Sequence, residues 1–370
     1  MSSLYIHFPF CLYKCHYCDF NSYATDKNEI PYQDYLNSLL KELLLRRKLF
    51  ETKGFGFLNP KTSLKTIFFG GGTPSLMPAA HIEKILQEVA KYFSLDADCE
   101  ITLEANPGTL TQTSINDFIK AGINRISIGV QSLDGAYLAR FGRIHSVADA
   151  KNVLGWLTQS KLKSWNADLI SGFPGETFSE WQKTLAEMLE FEPPHVSCYS
   201  FTVEEESPYG RWAKVGKVDL PDDEVQSTML QWTRETLKAS GYSPYEISNF
   251  AKQGHECRHN LAYWKYQDYL GLGAGAVSLF AQNLISRDDE SFVVRTNNIK
   301  NPNAYMKALL DEESFFEKEI ISKKIAQGEF MMMNLRLLNG FSENDFTNYF
   351  GESMSGEYQR VIADFKKSKL

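Results

Sequence analysis

Several features that would tie a chain to a membrane, to export or to nucleic acid are missing from these 370 residues. No run of about 18 uninterrupted apolar residues occurs, which argues against a membrane-crossing helix. The opening MSSLYIHFPF lacks the basic n-region and apolar h-region of a secretory signal, so a cytoplasmic protein is expected. Basic residues never gather into a long run. The 39 Lys and Arg face 46 Asp and Glu, −7 overall, and a nucleic-acid backbone is not an expected partner. No solenoid-type repeat is present. What is present forms cores: 43% of residues are hydrophobic and 13% aromatic, which excludes a disordered or low-complexity chain. The length suits one large domain with a smaller one, or two to three of ordinary size.

Cysteine is scarce but unevenly placed. The six are Cys11, Cys15, Cys18, Cys99, Cys198 and Cys257. A disulfide framework does not fit a cytoplasmic chain, whose thiols stay reduced. Cys99 and Cys198 read as small buried apolar residues. Cys11, Cys15 and Cys18 form C-x3-C-x2-C, and a loop this short brings three sulfurs to one face. A structural zinc would usually want a fourth ligand from a second knuckle. His16 lies inside the loop and Cys99 has no paired neighbour. Three thiolates suit a [4Fe–4S] cluster with one iron left open to a small molecule.

Apolar, β-branched or aromatic runs recur at Leu4–Phe8, Lys65–Phe69, Ile101–Ala105, Arg125–Val130, Ala167–Ile170, Val196–Phe201 and Tyr245–Ile247. Amphipathic helical patterns lie between them. Ile82, Ile85, Leu86 and Val89 keep i, i+3, i+4, i+7 spacing, and Thr177 with Glu180 forms a capping box before the face Trp181, Leu185, Met188 and Leu189. A further helix, from about Asp222 to Ala239, is stopped by Gly241. Strands read as apolar on both faces and alternating with helices imply a parallel sheet with helices outside. With no dinucleotide-binding glycine fingerprint, the spacing favours an α/β fold of full or partial TIM-like barrel type. Three regions are expected: a barrel over 1–250, an extension over 251–300, and a small, mainly helical C-terminal domain over 301–370. In the last two, Asn283–Asn303 reads as a loop or β-ribbon. Asn303–Leu310, Ile320–Leu338, Ser342–Phe350 and Gly356–Lys369 read as helices. Met331 to Met333 read as core packing rather than soft ligands.

In such barrels chemistry sits at the C-terminal strand ends. Gly70-Gly71-Gly72-Thr73-Pro74 follows one strand, where glycines permit close approach and unpaired N–H groups can bind a carboxylate or ribose. Glu104, Gln131 and Asp168 end later strands, and Arg143 follows the second of these. Each alone could be a satisfied rim residue or helix cap. As a set beside the cysteines they form a candidate ligand site.

The cysteine spacing, with Tyr17 just before the third cysteine, resembles the radical S-adenosylmethionine superfamily. The resemblance implies a partial (β/α)6 TIM-like barrel and a [4Fe–4S] cluster on Cys11, Cys15 and Cys18. Its open iron would chelate S-adenosylmethionine, which one-electron reduction cleaves to a 5′-deoxyadenosyl radical. It also implies that Tyr5 and Tyr17 sit beside the cofactor and that Gly71, Gly72 and Thr73 belong to the motif for its amino group. Glu104 and Asp168 would take ribose hydroxyls or that amino group. Gln131 and Arg143 would hold the carboxylate or a second cofactor molecule, and Gly172–Gly175 would close the wall.

Longer stretches, Tyr5–Cys11, Cys18–Phe20, Gly70–Ser75, Gly129–Gln131, Asp168–Thr177 and Tyr245–Phe250, resemble the oxygen-independent coproporphyrinogen III oxidase group over about residues 3 to 340. One branch decarboxylates two propionates of coproporphyrinogen III to vinyl groups. The other, the HemW branch, is proposed to bind heme and deliver it to acceptor proteins such as respiratory enzymes. The decarboxylating branch has a fourth cysteine where Phe20 stands, and an extension ahead of its cluster loop that is not expected here. Cys257-Arg-His-Asn260 followed by Tyr263-Trp264 is similar to the H-N-x-x-Y-W signature of the HemW branch. The resemblance therefore implies a heme chaperone with heme as cargo, working in the cytoplasm or peripherally at a membrane, with a homodimer left open. Porphyrinogen oxidation is the alternative, and a zinc-binding structural protein a third reading. His259, with Cys257, Asn260, Tyr263 and Trp264 around it, is a heme-ligand candidate; a hydrogen-bonded structural histidine is the other reading. His255 is a weaker candidate, and His7 and His145 are expected to orient neighbours.

Overall fold

The structure is a computed structural model that describes residues 2–52, 63–281 and 292–367. Six parallel strands run side by side in chain order: β1 (Ser3–Phe8), β2 (Ser63–Gly71), β3 (Ser94–Ala105), β4 (Arg125–Gln131), β5 (Ser164–Ser171) and β6 (His195–Ser200). Helices return the chain between them: α1 (Tyr32–Thr52), α2 (Ala79–Tyr92), α3 (Gln112–Lys120), α4 (Gly135–Phe141), α5 (Val147–Thr158) and α6 (Phe178–Leu189). After β6 come α7 (Pro208–Lys214) and α8 (Asp223–Ala239). The sheet continues beyond β6 with the short antiparallel strands β7 (Ser243–Pro244) and β8 (Asn249–Ala251). At the other edge β9 (Tyr269–Leu272) joins β1 in parallel. The antiparallel β10 (Val277–Ala281), β11 (Val293–Asn298) and β12 (Phe316–Ile321) follow outward. The partial α/β barrel is thus present, carried by six βα units.

Its strands are two-faced. On β4, Ile126, Ile128 and Val130 are fully buried beneath the helices, while Arg125, Ser127, Gly129 and Gln131 alternate with them and line an internal cavity. β5 repeats the pattern, with Ala167 and Leu169 buried and Asn166 and Asp168 facing the cavity. Reading these strands as apolar on both faces was therefore incomplete. The outer face is core and the inner face is a polar lining with period two. The helices lock onto the outer face as their spacing predicts, with Ile82, Ile85 and Val89 of α2 and Trp181, Leu185 and Met188 of α6 buried. The capping box Thr177–Glu180 is formed.

Two expected elements move. Tyr245–Ile247 is not a strand; it lies between β7 and β8 and makes a single bridge, Glu246 to Leu337. Pro244 cannot extend the ladder, and Glu246 turns back to accept from Ser248 and Asn249. The segment Ile320–Leu338 starts as the end of β12 and becomes helical only at Lys323, where Ser322 caps α11 (Lys323–Asn334). The C-terminal region is otherwise helical, with α10 (Pro302–Leu310), α12 (Glu343–Phe350) and α13 (Met354–Lys367). Of the segment Asn283–Asn303, residues 293–298 form β11 and 282–291 lie outside the described residues. A second apolar cluster, around Phe330, Phe346 and Phe350, packs this region onto Leu279, Val293 and Ile321 of the sheet. Met331 and Met333 pack against it, while Met332 is 64% exposed.

Candidate functional site

Strands β2 to β6 and the loop after β1 surround one cavity of about 490 Å³. The loop is stitched to its surroundings. Phe10–Cys11 pairs with Tyr23–Ala24. The His16 amide donates to Phe141 O (2.9 Å), its Nδ1 lies 2.9 Å from Arg140 O, and its ring packs on Trp212. Asn21 Nδ2 donates to Ala274 O and Lys300 O, and Asn21 O meets His7 Nε2 at 2.8 Å. Lys14 folds back onto Phe20 O and Ser22.

Cys11, Cys15 and Cys18 are free, half-buried thiols lining this cavity. Thr73 Oγ1 donates to Cys11 Sγ at 3.3 Å and Arg143 Nη1 to Cys15 Sγ at 3.5 Å. Burial raises the Cys11 thiol and pushes that of Cys18 up to about 11. These groups are therefore protonated in the metal-free chain, and a cation binding them displaces protons.

Gly71, Gly72 and Thr73 line the cavity, but their amides are already hydrogen-bonded within the fold. Gly71 N donates to Glu104 Oε2 (3.0 Å), Gly72 N to Phe8 O (2.8 Å) and Thr73 N to Phe10 O (2.9 Å). None of these three amides is left to present to a ligand. The glycines instead allow close approach. A Cβ on Gly71, at φ +112, would sit 2.5 Å from the His7 ring, and one on Gly72 would sit 2.7 Å from Phe10 O. They clamp β2 against the cysteine loop.

Glu104, Gln131, Arg143 and Asp168 all line the cavity. Burial, and then the charge of Asp168, pushes the Glu104 carboxyl up to about 8. Asp168 accepts from Asn166 Nδ2 (2.7 Å) and Ser127 Oγ (3.3 Å). Gln131 takes a left-handed backbone at φ 68 where the β4–β5 register slips, a conformation non-glycine residues adopt mainly where surroundings enforce it. Arg143 also donates to Gly129 O and Tyr17 OH. Tyr17 lines the cavity and packs edge-on against Phe141. Tyr5 does not line it; its hydroxyl bonds His7 Nδ1 at 2.9 Å. Gly172–Gly175 line a separate depression beside α8.

The segment Cys257–Trp264, with α9 (Arg258–Trp264), behaves differently. His259 is 1% exposed, with Nδ1 2.8 Å from Thr66 Oγ1, Nε2 2.9 Å from Tyr263 OH and its ring stacked on Phe68. Burial and the Arg125 charge hold its pKa down at about 3. Cys257 is buried, its thiol directed to Glu100 and pushed up to about 12 by burial. Trp264 lies under Arg336. Of these five heme candidates, Asn260 lines the cavity. His7 and His145 are buried and hydrogen-bonded, His145 to Asn106 and Val130. His255 bonds Ser164 Oγ.

Comparison with known proteins decides between the families such a site allows. Residues 5–188 match the Radical SAM superfamily. The chain is 38% identical to the heme chaperone HemW of Haemophilus influenzae over 97% of its own length and 88% of that protein. It is 38% identical to the Escherichia coli heme chaperone HemW over 94% and 86%. The Bacillus subtilis heme chaperone HemW is 31% identical over 100% and 92%. This chain belongs to the HemW family of the radical SAM superfamily. Among solved structures, coproporphyrinogen III oxidase (HemN) from Escherichia coli shares the fold. Its TM-score is 0.79 at 21% identity, covering 99% of this chain and 83% of that one.

Radical SAM membership implies a [4Fe–4S] cluster and S-adenosylmethionine, and the residues fit both. Three unpaired thiols on one anchored loop face a cavity that also holds carboxylates and a guanidinium. Among the described residues no three His, Cys, Asp or Glu side chains converge around a single metal ion; a polynuclear cluster takes one thiolate per iron and needs no such convergence. The position two beyond Cys18 is Phe20, 62% exposed at the cavity mouth. Among the described residues no helix is long and apolar enough to cross a membrane. Sequence reasoning missed Arg125, Ser127, Asn166, His195 and Ser197, which line the cavity beneath the strand ends. Their signal was polar residues two apart on β4, β5 and β6.

Proposed function

We propose that this protein binds heme and passes it to heme-accepting proteins, holding a [4Fe–4S] cluster on Cys11, Cys15 and Cys18 and S-adenosylmethionine in the cavity beside it. The observation that carries the reading is similarity to proteins named heme chaperones along nearly the whole chain. When bound, the cluster and S-adenosylmethionine together supply one-electron chemistry. The chain's own residues bind and exclude water. Glu104, Asp168, Gln131 and Arg143 supply polar contacts to the cofactor, and Tyr17 covers it. The clamp of β2 on the cysteine loop fixes the thiols relative to these contacts. Acceptors include respiratory proteins met at a membrane surface, with the carrier itself cytoplasmic; pairing as a homodimer is part of this reading, as is a barrel over 1–250 with the extension 251–300 and the C-terminal region 301–370 appended.

The fold shared with HemN favours a second reading, oxidative decarboxylation of coproporphyrinogen III. Product analysis separates the two. Reconstituted protein given coproporphyrinogen III, S-adenosylmethionine and a reductant is expected to form no protoporphyrinogen, and to retain stoichiometric heme through gel filtration. Protoporphyrinogen formation, or heme lost on the column, would overturn the carrier reading.

A further inference from the structure

The floor of the cavity carries a guanidinium that no described group around it hydrogen-bonds. Arg125, at the start of β4, is 3% exposed and lines the cavity. Its Nε is buried without a partner, and among the described residues its guanidinium makes no hydrogen bond and no ion pair. Acidic groups at longer range, Glu100 and Asp168 among them, hold its charge against burial, but their hydrogen bonds go to other partners. Glu100 accepts from the amides of Arg258 and His259 and from the Cys257 thiol. Asp168 accepts from Asn166 and Ser127. Ser197 donates to Asn166 Oδ1 and Asn249 Oδ1, and His195 is held between Asn166 Oδ1 and Tyr245 OH. A rigid guanidinium fork, its Nε buried without a partner, thus sits at the end of a polar funnel. A buried charge without a hydrogen-bonded partner is costly, and such groups are rarely retained unless something arrives to pair with them.

We infer that Arg125 is the receptor for a carboxylate of the ligand that enters this cavity. A carboxylate matches the guanidinium fork in shape and charge. The nearby carboxylate of Asp168 opposes an anion in general, so the site admits one only in direct contact with the fork. Two sources can supply the group: a propionate of the tetrapyrrole, an assignment that rests on the carrier reading, and the methionine carboxylate of S-adenosylmethionine, which does not.

The test measures equilibrium binding of hemin, hemin dimethyl ester and S-adenosylmethionine to reconstituted wild type and to Arg125→Met, a replacement of similar length without charge. Thermal unfolding of both proteins is measured alongside. Expected is a loss of about tenfold or more in hemin affinity, the scale of one charge-assisted hydrogen bond, with the ester bound equally by both proteins. The variant's melting temperature should fall modestly, because Glu100 and Asp168 lose the positive charge that balances them, while the ester's affinity should not change. A selective loss of S-adenosylmethionine binding with hemin unchanged would support the receptor and assign it to the methionine carboxylate. Unchanged affinity for all three, or a lower melting temperature with losses for all three including the ester, would overturn it. Wild type that binds no hemin would defeat the carrier reading, and the S-adenosylmethionine arm would then decide on Arg125.

Discussion

The loop after β1 and the segment around α9 both contain cysteine, histidine and aromatic residues within a few positions of one another. In the loop, the backbone and the non-cysteine side chains do the anchoring, through His16, Asn21 and Lys14. The three thiols stay at the cavity wall. In the α9 segment the candidate donors are themselves the anchors. His259 spends both ring nitrogens on Thr66 and Tyr263, and Cys257 meets Glu100. A ligand site needs donors that the fold does not consume. Residue type and spacing alone do not distinguish the two cases.

The largest effect is expected from the thiols. Cys15→Ser should abolish the broad visible absorbance and iron content of the reconstituted protein, whereas Cys257→Ser should leave both unchanged. Iron retained by Cys15→Ser, or lost by Cys257→Ser, would dissolve the contrast. Next comes the clamp. Gly71→Ala forces a Cβ into the His7 ring at φ +112, and should cost about 3 kcal/mol in urea unfolding. Gly254→Ala, also at positive φ but with nothing within 4 Å, should cost only about 1 kcal/mol. Equal costs would mean that the close packing of the clamp has no energetic weight.

A smaller effect tests the α9 side directly. His259→Phe keeps a ring against Phe68 but leaves Thr66 Oγ1 and Tyr263 OH without their partner. A loss of about 2 kcal/mol is expected, with hemin affinity unchanged. A stable variant that no longer binds hemin would restore His259 as the heme ligand.

Much of this was legible in the sequence where one signal had one cause. Alternating strands and amphipathic helices can be buried together in few ways, so the six-unit partial barrel could be read from Ile82, Ile85 and Val89 or from Ile126, Ile128 and Val130. The cysteine spacing was equally specific. Other features depended on long-range partners. Whether the Gly71–Thr73 amides were open turned on Glu104, Phe8 and Phe10, and whether His259 was available turned on Thr66, 193 residues away. Ile320 and Ile321 sit in a strand despite a helical continuation because β11 offers them a ladder. Arg125 was overlooked because it stood inside an apolar run, where only the alternation of faces shows that it points inward.

The last contrast is in the response to acid. His259 is neutral in the fold, with its pKa held at about 3 by burial and then by Arg125; unfolded, it titrates near 6.5. The unfolded chain therefore binds the extra proton between these values. The stability this group contributes is complete above about pH 6.5 and is lost as pH falls toward 3, by up to about 1.4 kcal/mol per pH unit. His145, held at about 4 by burial and then by Arg143, acts in the same sense. Glu104 acts in the opposite one. Its carboxyl is raised to about 8, so its contribution is complete below about pH 4.5 and is lost as pH rises through 8. The net curve of the wild type mixes these signs, and the difference between wild type and His259→Phe isolates one histidine. Between pH 6 and pH 4 the variant should lose stability less steeply, by about one proton's worth of slope, while the two slopes should agree above pH 7. Parallel curves throughout would show that His259 titrates in the folded chain as it does unfolded, and its two hydrogen bonds would have to be assigned differently.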